Sequence, residues 1–316
     1  MFELYRAIWT ISGRRQIVLI VLSAMIAALA AAPLKFQQEI INHLADGTAE
    51  AGRLFLLGGG MMAVVVLSLG LKWVAGYRSQ VLGEDVIRLI RTRLIARASD
   101  GVAESSDVRT GALTTAVSSE AEDLGKFAGD ALAAPVLQIG TLISVIAFIA
   151  ATQPRLGLIA VSIIVPQVIL VLMTQRKVNT LVAERIRILR AATDQITARN
   201  VASAATSITA EFDEIFALRK SMFRWKLSTK FLLSLINGAG VVGVLMLGGW
   251  LVLKGQSDVG TVVAATVGLG RLQGPTTFLI AFYRQVSANR VKFELLRSLV
   301  LFRPAEPASG PATSAP

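Results

Sequence analysis

Residues 130–176 read DALAAPVLQIGTLISVIAFIAATQPRLGLIAVSIIVPQVILVLMTQR. Between Asp130 and Arg155 stand 24 residues without a charge, and between Arg155 and Arg176 another 20. A helix rises about 1.5 Å per residue, so each run can cross a hydrocarbon core of about 30 Å. Only Thr152 to Arg155 is left to turn the chain between them. Two membrane helices joined by a tight turn are therefore the local fold.

The rest of the chain repeats this unit. Nineteen uncharged residues separate Arg15 from Lys35, 18 separate Arg53 from Lys72, and 23 separate Lys230 from Lys254. A sixth apolar segment, Val259 to Tyr283, is interrupted by Arg271 alone. With 53% hydrophobic residues, 17% charged and a mean hydropathy of +0.61, the composition excludes a soluble enzyme, a disordered protein and a fibrous repeat. The chain has no cysteine and one histidine, His43, so disulfide frameworks, thiolate metal sites and a histidine metal centre are excluded as well.

The expected architecture is all-α and polytopic. Six transmembrane helices fall at approximately 17–41, 54–82, 131–152, 156–176, 231–253 and 259–284, within a domain of 17–302. Two long helical extensions, 83–130 and 177–230, carry many charges and no long apolar run, and 303–316 is a Pro/Ala/Ser tail of disordered type. Residues 1–16 place Phe2, Tyr5, Ile8, Trp9 and Ser12 at helical spacing among arginines. They read as an interfacial amphipathic helix or as the direct continuation of the first span.

Charge sets the orientation. Of 32 basic residues, 27 lie in the N-terminal segment, in Arg78 to Lys126, in Arg176 to Lys230 and in the C-terminal part from Arg271. Basic residues concentrate on the cytoplasmic side, so both termini and both extensions are expected there. The net charge of +11 then needs no nucleic-acid partner. The expected location is the cell membrane, as a multi-pass protein of a bacterial inner membrane.

Loops of about fifty residues between spans are uncommon unless functional. The first extension reads as two helices around a Ser/Asp/Gly-rich tip ending at Thr110-Gly111. The second reads as helix to Thr206, then Ala210-Glu211-Phe212-Asp213-Glu214, then a returning helix from Ile215. Acidic residues there suit the N-terminal dipole of the returning helix. Two hairpins with polar tips also suit docking onto a cytoplasmic partner.

Order and residues together resemble the transmembrane domain of an ABC exporter of the six-span type. The resemblance covers about Ile17 to Leu296 and is most specific over Leu247 to Leu279, LGGWLVLKGQSDVGTVVAATVGLGRLQGPTTFL. That stretch looks like the family's hairpin between the fifth and sixth spans. Pro154-Arg155-Leu156, Thr110-Gly111, Glu211 and Phe293-Glu294-Leu295-Leu296 also fall where the family's pattern has such residues. The resemblance implies alternating access driven by a nucleotide-binding domain that holds short coupling helices at the two tips. Carried over, it assigns Asp107, Val108, Arg109, Thr110 and Gly111 to the first tip, and Glu211, Phe212, Asp213 and Glu214 to the second. It further implies a homo- or heterodimer with a second six-span half and a cytoplasmic ABC ATPase.

This sequence departs from the pattern at two places. Ser105-Ser106 replaces the aromatic pair before the first tip, and no GxxxxGK[ST] phosphate loop or Leu-Ser-Gly-Gly-Gln signature occurs. The chain holds no catalytic ATPase site and no cofactor of its own, so ATP and Mg²⁺ would enter through the partner. The alternative function is a non-transporting, degenerate relative with a scaffolding or regulatory role. Within the spans, Arg271 either lines the translocation cavity or hydrogen-bonds backbone carbonyls near Gly274-Pro275. Gln273 and Asn237 are further cavity candidates. Gly238, Gly240 and Gly243 read as packing positions, and Lys35 and Glu39 as an i,i+4 pair.

Overall fold

The computed structural model describes residues 2–99, 116–198 and 201–301. Among them every element is helical and there is no strand. The order is α1 (Phe2–Leu29), α2 (Ala32–Ala45), α3 (Ala51–Ser99), a π-helical turn (Ala116–Glu120), α4 (Ala121–Asp130), α5 (Ala133–Thr152), α6 (Pro154–Ala198), α7 (Val201–Leu253) and α8 (Val259–Leu301). Helix is the form that satisfies its own backbone in hydrocarbon, which fits the apolar runs. Five stretches are long and apolar enough to cross a membrane: Phe2–Ala45, Ala51–Ala96, Val117–Thr152, Pro154–Leu189 and Thr209–Leu253. Helix α8 is the sixth apolar helix, made more polar by Arg271 and Gln273.

Helix α1 runs unbroken from Phe2 to Leu29, so residues 2–16 and the start of the first apolar run form one helix. One expectation is corrected. The turn of the second hairpin lies elsewhere than expected. Helix α6 ends at Ala198 and α7 begins at Val201, so Glu211, Phe212, Asp213 and Glu214 sit inside a continuous helix. Ala210 to Glu214 contains no Gly or Pro to stop a helix. Asp107 to Gly111 lie outside the described residues.

The chain divides into two compact units, one of Met1–Ala28, Val66–Gly140 and Ala281–Pro316, the other of Leu29–Val65 and Thr141–Ile280. In the first unit α1 buries Leu4, Ile8, Ser12, Gln16, Leu19 and Ser23, a stripe spaced three or four residues apart. Gln16 is fully buried, and its Nε2 donates to the Ala128 carbonyl at 2.8 Å. Phe127 lies between Tyr5, edge-on with ring centroids 6.4 Å apart, and Phe282, stacked at 5.9 Å. Arg15 pairs with Asp85 and Lys292 with Asp123.

Helices α3 and α4 meet through two matching small-residue pairs, Ser79-x-x-x-Gly83 and Gly125-x-x-x-Gly129. A Cβ on Gly125 would stand 2.8 Å from the Gly83 carbonyl oxygen and 2.2 Å from Ile87 Cγ1. One on Gly129 would stand 2.5 Å from the Ser79 carbonyl oxygen. Backbone touches backbone here, a geometry that glycine alone permits. Ser79 Oγ completes the crossing by donating to Asp130 Oδ1 at 2.6 Å.

In the second unit Leu34, Val145, Ile149, Leu156, Val244, Leu251 and Leu269 form one core. Gly240 meets Ile163 and Gly248 meets Val262, while Gly238 and Gly243 face open space. Helices α6 and α7 form a long antiparallel hairpin held by a Thr174–Thr229 hydroxyl hydrogen bond of 2.7 Å and by Val178, Leu181 and Met222. The short connections gather at one end of this unit. Gln153 Nε2 donates to the Gln256 carbonyl at 3.0 Å, and Arg155 Nη1 to Gln256 Oε1 at 2.8 Å.

Gly129→Leu should therefore drive α3 and α4 apart. Overpacking commonly costs about 1–3 kcal/mol, and a backbone contact cannot relax by a rotamer change, so the upper end is expected. Gly243→Leu, with open space around it, should cost little. Thermal unfolding and size-exclusion profiles of the two variants in one detergent check this contrast.

Candidate functional site

Arg271 lies against the junction of α1 and α2, where the first apolar segment is broken. Pro33 has no N–H to offer the Leu29 carbonyl. Leu34 N turns to the Ala31 carbonyl at 3.0 Å, and Lys35 N to the same oxygen at 3.3 Å. The Ala30 carbonyl thereby loses its helical donor. Arg271 Nη1 donates to it at 3.2 Å. Arg271 thus has a backbone-carbonyl partner, at this break and not at Pro275, through which α8 continues.

One such bond does not account for the residue. An arginine inside a membrane costs about 2.5–3.5 kcal/mol on insertion scales, against about 1.5–3 kcal/mol for a hydrogen bond to a charged group. The guanidinium has five N–H donors, and its side chain is exposed. Gln273 and Thr277 are exposed on the same stretch of α8, and Gly270 and Gly274 leave open space beside them. Asn237, on α7, is half-buried.

At the second hairpin, Phe212 is 48% exposed, a large apolar side chain on a charged helix surface. Asp213 and Glu214 are exposed and Glu211 is half-buried. These residues begin ten positions after Val201, about 15 Å along α7 from the start of that helix. Lys35 and Glu39 form the expected i,i+4 pair at 3.5 Å, and both are largely exposed.

Sequence reading missed a polar clamp at the start of α8. Asp258 caps the helix: Thr261 N donates to Oδ1 at 2.6 Å and Thr261 Oγ1 to Oδ2 at 2.8 Å. Buried Gln38 of α2 donates to Thr261 Oγ1 at 2.7 Å, and Asn42 Oδ1 accepts Gly260 N at 2.7 Å. A Cβ on Gly260 would stand 2.2 Å from the Gln38 carbonyl oxygen, so only glycine fits. The capping residue Asp258, three before Thr261, was a visible signal. Its link to Gln38 and Asn42, more than 200 positions away, was not.

Six apolar helices and a long charged hairpin define a polytopic helical membrane protein. The description of the ABC transporter transmembrane region family matches residues 16–197, and the chain belongs to that family. No individual curated protein matches it.

Burial pushes the Asp258 carboxyl up, but the hydrogen bonds from the Thr261 hydroxyl and backbone, Asn42 and Gln38 outweigh it and hold the group below the usual carboxylate range. A depressed folded value stabilises above the unfolded value of about 3.9 and is lost as pH falls through the folded one. Asp258→Ala should lower stability by about 1 kcal/mol near neutral pH. The gap between parent and variant should hold from about pH 5 to 8 and close toward pH 3, with unfolding temperatures measured across that range.

Proposed function

We propose that this chain is the membrane-spanning half of an ATP-driven ABC exporter. Two such halves, identical or similar, form a twelve-span dimer with the translocation path between them. A separately encoded ATPase binds ATP and Mg²⁺ and drives alternating access. The observation that carries this reading is the α6–α7 hairpin in a chain of this family. Its helices are 45 and 53 residues long, about 68 and 80 Å, whereas a span needs about 20 residues. More than half of each helix therefore extends beyond the bilayer, and the basic count supports a cytoplasmic side for that extension. An extension this long acts as a lever only when something grips its end.

The gripping surface runs from the hairpin's end, near Ala198 and Val201, along α7 to Phe212, Asp213 and Glu214. Phe212 supplies the aromatic anchor, since aromatic side chains are frequent interface hot spots. Asp107 to Gly111 form the other contact, in which Ser105-Ser106 leave no aromatic anchor. Arg271, Gln273 and Asn237 face the path.

The absence of cysteine makes single-cysteine variants clean reporters. Cysteines placed at 213 and at 46 should react with a membrane-impermeant maleimide from opposite sides of sealed vesicles. Phe212→Ala should weaken pull-down of a partner ABC ATPase about thirtyfold, with a parallel loss of transport. A chain that binds no ATPase, in parent or variant form, would instead be the scaffolding relative.

A further inference from the structure

We propose that the translocation path recognises an anionic amphiphile, with Arg271 as the specificity-determining residue that pairs with the acidic head group. This rests on the export reading for what happens after binding, and on the structure alone for the binding itself.

The argument is one of missing counter-charge. Within the six apolar segments the one carboxylate is Glu39, and it is paired with Lys35 at 3.5 Å. Among the described residues no carboxylate reaches Arg271, whose one protein partner there is the Ala30 carbonyl. Arg271 stands twelve positions after Val259, about 18 Å along α8, near the middle depth of a bilayer. A second copy of this chain would bring a second arginine and no acid. Two uncompensated guanidinium groups at that depth favour a ligand that carries the negative charge itself. The planar fork suits a carboxylate, sulfonate or phosphate, which it holds by paired charge-assisted hydrogen bonds.

The surroundings fit the rest of such a molecule. Gly270 and Gly274 flank Arg271, and neither would bring a Cβ within 4 Å of another residue, so the surface beside the guanidinium is open. Gln273 and Thr277 are exposed nearby and offer hydrogen bonds to head-group oxygens. The exposed surfaces of α6 and α7 are rich in Val, Ile, Leu and Met, which suits an alkyl body. A cationic drug would meet like charge here, and a neutral lipid would leave the arginine uncompensated.

The test uses the full chain in lipid nanodiscs without any ATPase, with empty nanodiscs subtracted for partitioning. The probes are a dansyl-labelled alkyl sulfonate, its alcohol and its trimethylammonium counterpart. The sulfonate should bind saturably and about tenfold more tightly than the alcohol, with the cation weaker still. Arg271→Gln should abolish the preference of sulfonate over alcohol, and Arg271→Lys should keep part of it. Equal binding of sulfonate and alcohol by the parent overturns the inference, even if Arg271→Gln does not fold. So does a preference that survives Arg271→Gln. Selective sulfonate binding with no ATPase stimulation or transport would leave the anion site standing and remove the export reading. Transport of uncharged reporters by a parent without charge preference would do the reverse.

Discussion

A backbone carbonyl in hydrocarbon must find a donor, and this requirement shapes the unit that holds α2 and the first part of α8. Pro33 and the turn at Ala30–Ala31 interrupt the first apolar segment and strand the Ala30 carbonyl. Arg271, from a helix more than 200 residues later, supplies the donor. The same contact fixes the position of α8 against α2, and the clamp of Gln38, Asn42, Asp258 and Thr261 fixes it again toward the start of α8. Two polar contacts along one helix pair set its rotation, and that rotation decides which face of α8 is exposed.

The remaining packing uses a different device. Between apolar helices in lipid there is little hydrophobic gain from association, so close approach and dispersion contacts matter more. Ser79, Gly83, Gly125 and Gly129 bring α3 and α4 to backbone contact, whereas Gly240 and Gly248 seat α7 against the side chains of Ile163 and Val262. A Cβ at these glycines would crowd a neighbour, whereas Gly238 and Gly243 have space. Glycine in these spans thus falls into two kinds, and its neighbours in space alone separate them.

That division explains what could be read from the residues alone. Spans were legible because crossing hydrocarbon demands about twenty uncharged residues, and charges at Arg155, Arg176 and Lys230 delimit them sharply. Arg271 was legible as an anomaly, but its partner was not, because nothing local marks Ala30. The Gly125-x-x-x-Gly129 crossing was hidden in a charged stretch, Glu120 to Asp130, where such spacing reads as surface helix. The hairpin turn was misplaced because acidic residues at Glu211 to Glu214 look like a helix start. In the structure the helix simply continues through them. Helix-start signals are weak evidence when no stop signal precedes them.

Continuity at Glu211 has a mechanical consequence. Had α7 started there, the last turn of the hairpin would be a separate, compliant element, and force at its end would be lost in bending. A single helix from Val201 to Leu253 instead joins the hairpin's end to the membrane interior without a joint. Its lower part is braced on α6 by Val178, Leu181, Met222 and the Thr174–Thr229 hydrogen bond. Gly240 and Gly248 then seat its upper part against Ile163 and Val262, with no gap to absorb movement. Val262 belongs to α8, the helix that carries Arg271. A displacement at the hairpin's end is therefore delivered through packed contacts to the helix that carries Arg271. The same lever runs in reverse, so an anion held at Arg271 would bias the position of the hairpin's end.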